Sequence, residues 1–210
     1  MKTSTLCLLL AAASLLAQTA FAQSDDSKNL LRNGDMEAYE VGPVPDEKFN
    51  SFWTIVHPKL RDQNSYFTIT TEKARSGKKS LRLELTPESA QRWQQFPAKD
   101  DTDSLFLHYS LSPKTNLAPL AAKKVVFSMW VYVEKGGLLA QLRCRVSRAD
   151  TSVPDIIRGE LMVEEQGKWV QVKLEGKGLP NLTRANFRLE FEPRGNFLVY
   201  VDDVYFGPAD

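Results

Sequence analysis

From residue 81 onward, apolar side chains recur at every second position in short runs separated by glycine- and proline-bearing turns. Leu81, Leu83 and Leu85 alternate with Arg82 and Glu84; Val170, Val172 and Leu174 with Gln171 and Lys173; Phe187, Leu189 and Phe191 with Arg188, Glu190 and Glu192. A period of two sends successive side chains to opposite faces, so each run predicts a half-buried β-strand. Leu138 to Val146 obeys the same rule, with Leu142, Cys144 and Val146 inward and Arg143 and Arg145 outward. Two runs, Val125 to Val133 and Phe197 to Phe206, are apolar on both faces, the pattern of central strands covered on both sides. Turns at Gly77-Lys78, Gly136-Gly137, Gly167-Lys168, Gly176 to Pro180 and Pro193 to Asn196 divide the runs. Leu105 to Leu111 adds a strand inside the polar stretch from Gln94 to Lys124, and Thr86-Pro87-Glu88 predicts one helical turn towards Trp93. Roughly nine to eleven short strands specify an all-β fold, an antiparallel β-sandwich of jelly-roll type.

The start of the chain reads differently. Met1-Lys2-Thr3 leads into an uncharged apolar run, Leu6 to Leu16, and then Ala20-Phe21-Ala22. A basic start, a short apolar core and an A-x-A site predict a signal peptide over residues 1–22; the run falls short of the about 20 residues a membrane span needs. Residues 23–28 then form a flexible segment, 29–207 a single domain and 208–210 a tail, with the mature protein secreted or periplasmic. Cleavage removes Cys7, so Cys144 stands alone and reads as a small core filler. A chain of this length buries roughly 70% of its unfolded surface and needs no disulfide to hold a core. The leader carries Lys2 and no other charge, so 27 basic residues fall to 26, equal to the 26 acidic ones. No basic stripe is available for a phosphate backbone, which argues against nucleic acid.

Motifs of catalysis are absent from the sequence. His57 and His108 lie in no zinc spacing, and there is no G-x-S-x-G elbow, phosphate-cradling loop or dinucleotide fingerprint. A glycosidase-type carboxylate pair, about 5 to 9 Å apart, is set by fold rather than by spacing.

Three segments carry a resemblance. Asn29 to Glu37 (Asn-Leu-Leu-Arg-Asn-Gly-Asp-Met-Glu), Ala74 to Leu83 and Tyr200 to Gly207 (Tyr-Val-Asp-Asp-Val-Tyr-Phe-Gly) resemble the jelly-roll carbohydrate-binding modules appended to bacterial cellulases and xylanases, within the galactose-binding-like group. The resemblance implies an exported, non-catalytic protein that holds poly- or oligosaccharide. The alternatives are an envelope scaffold or adhesion module with a protein partner, and a small glycan-active hydrolase. It also implies a structural Ca²⁺ held by Glu37, the carbonyls around Lys78 and Lys79, and Asp202, with Asp35 and Asp203 as second choices. An aspartate in an apolar strand is costly to bury unless a cation or hydrogen bonds compensate it; the other reading of Asp202 is a surface turn with both carboxylates in water.

Sugar binding asks for flat aromatic faces with amides, carboxylates or arginines beside them. Trp130 and Tyr132 share one strand face, opposite Phe127, Met129 and Val131. If the latter set fills the core, Trp130 and Tyr132 form a platform; in the reverse order Trp130 is core. Alternation places Trp169 outside, while the family pattern favours a packed role for it. Trp53 is expected in the core. Trp93, beside Arg92 and Gln94, either reads sugar hydroxyls or anchors the long loop.

Overall fold

The computed structural model describes residues 28–44, 54–55, 67–88, 105–110, 115–122, 124–147, 155–191 and 196–209. Eleven strands are seen among them: β1 (Gly42–Pro43), β2 (Thr54–Ile55), β3 (Phe67–Thr70), β4 (Ser80–Leu85), β5 (Leu105–Ser110), β6 (Lys124–Lys135), β7 (Leu138–Ser147), β8 (Ile157–Val163), β9 (Trp169–Lys177), β10 (Arg184–Phe191) and β11 (Phe197–Pro208). They form a six-stranded sheet, β1-β3-β4-β11-β6-β9, and a five-stranded sheet, β2-β5-β10-β7-β8. Every strand pairing is antiparallel. The architecture is the antiparallel jelly-roll sandwich that the alternation predicts. No helix among the described residues is long and apolar enough to cross a membrane.

The core lies between the sheets. Phe127, Met129 and Val131 of β6 and Leu81 and Leu83 of β4 face Leu142 and Cys144 of β7 and Leu161 of β8, all buried. Burying each large apolar side chain contributes about 1.5 to 3 kcal/mol. Cys144 is a core filler as expected, and burial pushes its thiol pKa well above the ordinary value.

One expectation needs correction. The outer faces of β6 and β11 are apolar without another layer over them among the described residues. Trp130, Tyr132 and Leu198 are half-buried there, and side chains of the segment joining β3 to β4 lean over the aromatic rings. Val126, Ser128, Tyr200 and Asp202 on these faces are nonetheless buried, so the cover comes from neighbouring side chains rather than from another layer.

β11 carries the feature that organises the site. Its register against β6 shifts between Asp202 and Tyr205, so Asp203 and Val204 together occupy the space of one residue. Such a bulge breaks the ladder and re-aims side chains. Here Asp203 adopts a left-handed backbone (φ 45°) and Val204 turns into the core.

Candidate functional site

The segment Asn29 to Glu37 repairs what the bulge leaves open. The Asn29 side chain donates to the Val204 carbonyl at 2.9 Å and accepts from the Phe206 N–H at 3.0 Å. The Leu30 N–H donates to Phe206 and the Val204 N–H to Gly34. Backbone groups without ladder partners need others, and this is the physical link between the two sequence motifs at the ends of the domain.

A second link runs through the turn before β4. Asp202 is fully buried and its carboxylate accepts three backbone N–H groups: Arg75 at 2.7 Å, Ser76 at 3.2 Å and Asp203 at 2.7 Å. The surface-turn reading of Asp202 is therefore wrong. Asp203 pairs with the Arg75 guanidinium and accepts from the Ser76 hydroxyl at 2.5 Å. Glu37 accepts the Lys78 and Lys79 N–H groups, both at 2.7 Å, and those bonds, Lys78 first, hold its pKa below the ordinary value.

The expected calcium ligands are thus brought to one turn, but with the wrong atoms facing each other. Ca²⁺ takes six to eight oxygens. The Glu37 and Asp202 carboxylates face N–H donors, and the Glu37 and Tyr39 carbonyls accept from the Lys79 ammonium at 2.9 and 2.5 Å. Among the described residues no group of three acidic, histidine or cysteine side chains is placed to hold a metal. As folded, the Glu37 and Asp202 carboxylates are satisfied by N–H donors and the side chain of Lys79 brings a positive charge to the same turn, which favours hydrogen bonds over calcium there. The melting temperature is accordingly expected to be the same in excess calcium and in chelator. Lys79→Met should cost about 2 kcal/mol through its two charge-assisted hydrogen bonds, measured by urea unfolding. A calcium-dependent rise in the wild type would overturn this reading.

The outer face of the six-stranded sheet holds the aromatic residues. Phe127, Met129 and Val131 do fill the core, so Trp130 and Tyr132 point outward. Tyr132 is in register with Tyr200 of β11 on one side and Trp169 of β9 on the other. The three rings contact edge to face, with centroids 6.2 and 5.7 Å apart. Strand spacing makes this row roughly 10 Å wide. The next row is Asp202, Trp130 and Gln171.

Charged groups frame the rings. Lys73 lies 4.5 Å from the Tyr132 centroid and pairs with Glu134 at 3.0 Å; that carboxylate raises the Lys73 pKa. Arg75 stacks 3.9 Å over Trp130, a cation–π contact that covers one face of the indole. Tyr200 is buried and donates to Glu72 at 2.8 Å, and burial followed by that carboxylate raises its phenol pKa. Arg82 bridges Glu84 at 2.7 Å and Glu72 at 3.5 Å. Trp169 is half-exposed, with no cation over its ring among the described residues, and Gln171 is exposed beside it.

Of the sugar-binding candidates, Trp130, Tyr132 and Trp169 therefore converge on one face, whereas Arg92, Trp93 and Gln94 lie outside the described residues, as does Trp53. Sequence reading missed Tyr200, which reads as filler of an apolar strand, and Lys73 and Arg75, which arrive from a distant turn. Asp35, a second-choice ligand, instead accepts the Glu37 N–H at 3.2 Å.

No protein-family model and no curated protein matches the chain. Solved structures do. A family 61 carbohydrate-binding module, in complex with β-1,4-galactotriose, is 16% identical and matches with a TM-score of 0.50, covering 87% of this chain and 99% of its own. A family 4 carbohydrate-binding module is 11% identical, with a TM-score of 0.51 over 85% and 99% of the two chains. A candidate sugar-binding protein from Bacteroides thetaiotaomicron is 9% identical, with a TM-score of 0.54 over 87% and 100%. At these identities the likeness is one of fold, and the fold is that of carbohydrate-binding modules.

Proposed function

We propose that the protein is an exported, non-catalytic carbohydrate-binding protein that holds a poly- or oligosaccharide across the outer face of its six-stranded sheet. The observation that carries the reading is the row of Tyr200, Tyr132 and Trp169 spanning three adjacent strands. Trp169 is the ring whose face is open to the C–H face of a pyranose, with Tyr132 packed edge-on beside it and Tyr200 buried beyond, while Gln171, Glu134 and Lys73 stand near to bond hydroxyls. Trp169 is the anchor, because Tyr132 already faces Lys73 and Trp130 faces Arg75. Export rests on the apolar leader of residues 1–22. Three carboxylates around the rings are engaged, Glu72 with Tyr200, Glu84 with Arg82 and Glu134 with Lys73, which favours binding over acid–base chemistry. The likeness of fold to sugar-binding modules supports the same reading.

The test is retention of residues 23–210 on a panel of insoluble and soluble polysaccharides. One glycan class is expected to be retained, with affinity falling about tenfold, or 1.4 kcal/mol, in Trp169→Ala while the variant stays folded. Retention by no glycan would sink the reading. The cross-strand pair Leu139 and Met162, exposed on the opposite sheet, would then be the first place to look for an envelope protein partner.

A further inference from the structure

The aromatic row is one end of a longer track. Two register rows beyond it, β6 and β9 pair Ser128 with Lys173, and one row further Val126 with Glu175. Here the face opens into a groove of about 440 Å³, with Lys28 and Lys124 also on its lining. From Tyr132 to Ser128 is four strand residues, roughly 13 Å, so a single polysaccharide chain can reach both ends.

The groove has an excess of positive charge. Lys124 and Lys173 share one carboxylate, Glu175, at 3.3 and 3.0 Å. Two ammonium groups against one carboxylate leave a formal charge of +1 on this cluster. Glu175 does not neutralise the pair; it holds both lysine heads beside the groove. Ser128 also lines the groove. An exposed ammonium pair attracts anions in a salt-dependent way.

We infer that this groove binds the anionic groups of an acidic polysaccharide, a neighbouring ring of which stacks on Trp169. The inference rests on the proposed glycan-binding face and adds the charge class of its ligand. A carboxylate and a sulfate share the chemistry that the groove recognises, so both are tested.

The experiment measures affinity of the folded full-length mature chain for polygalacturonate, dextran sulfate and a neutral galactan over a series of salt concentrations. One of the two acidic polymers is expected to bind at least about tenfold tighter than the galactan, with affinity declining as salt rises. The double variant Lys124→Ala/Lys173→Ala should lose about tenfold on that polymer and keep its affinity for the neutral one. Lys168→Ala, which removes an exposed lysine paired with Glu165 away from the groove, should change neither. Trp169→Ala should weaken both. Galactan binding that depends on Trp169, with no preference for either acidic polymer, would leave the proposed function standing and overturn the groove. Equal losses in Lys168→Ala and the groove variant would also overturn it, as general attraction of polyanions. Binding of no glycan, acidic or neutral, would overturn the proposed function and the groove together.

Discussion

Replacing Asp202 with alanine is expected to lower the melting temperature by about 12 °C. The carboxylate sits fully buried and accepts from three N–H groups on two separate segments. Alanine leaves those donors shielded without partners, at about 1 to 3 kcal/mol each before relaxation. A net loss of about 4 kcal/mol is reasonable, and each kcal/mol moves the melting point of a domain this size by about 2 to 4 °C. The effect also has a pH signature. Burial first, then the adjacent Asp203 carboxylate, push the Asp202 pKa from its ordinary 3.8 up to about 7, against the pull of the three N–H donors. A carboxyl raised in this way favours the fold most when protonated. Its contribution is full below about pH 4, is lost as pH rises towards about 7, and stays constant beyond. Thermal melts of the two proteins should therefore differ more at about pH 5 than at about pH 8. A gap that widens with pH would show that the three donors hold Asp202 ionised.

Gly34→Ala is expected to cost about 3 kcal/mol, at the upper end for an inserted methyl. A β-carbon at this position would overlap the Val204 carbonyl oxygen, while the Gly34 carbonyl accepts from the Val204 N–H at 2.9 Å. Both contacts are backbone, so no side-chain rotation relieves the overlap; the loop must lift, and the Asn29 bonds to the bulge go with it. Urea unfolding measures the loss directly. A cost under about 1 kcal/mol would mean that the Asn29 to Glu37 segment is not seated on β11.

The strands that the sequence discloses are those whose inward positions all carry apolar side chains. β4 and β7 show this, β9 and β10 alternate clearly in sequence, and β6 and β11 are visible as longer apolar runs. β8 is not, although Ile157, Leu161 and Val163 are buried. Its remaining inward position is Gly159, and the space a side chain would take there belongs to Leu174 of β9, 2.9 Å from a β-carbon placed on Gly159. The pattern is complete only when the partner strand is known. The short β3 escapes for a related reason: Phe67 and Ile69 make a run too brief to register. At the site, alternation puts Trp130 and Tyr132 on one face and Trp169 opposite its apolar set, but in a strand apolar on both faces it does not say which face of β6 is the core; the difficulty of burying Asp202 uncompensated pointed to its buried contacts. The identity of its compensation does not follow from the sequence. Whether a turn offers N–H groups or carbonyls depends on backbone angles, and whether Lys79 folds back onto the Glu37 and Tyr39 carbonyls depends on where Glu37 lies. The bulge at Asp203 is equally silent in sequence, since aspartate is neither glycine nor an obligatory left-handed residue.

The position of β11 between β4 and β6 makes the six-stranded sheet depend on a single distant strand. Before this last strand arrives, β1, β3 and β4 form one piece and β6 and β9 another, with no direct pairing between the two. The Asn29 segment has no seat either, because its acceptors on Val204 and donors on Phe206 lie some 175 residues downstream. Sheet closure, the burial of Asp202 and the docking of the Asn29 segment all depend on this one non-local pairing. Topologies dominated by such distant pairings fold slowly, and a chain in this state keeps two unpaired strand edges exposed to other chains. The feature that joins the ends of the finished domain is also the one that leaves its nascent form open the longest.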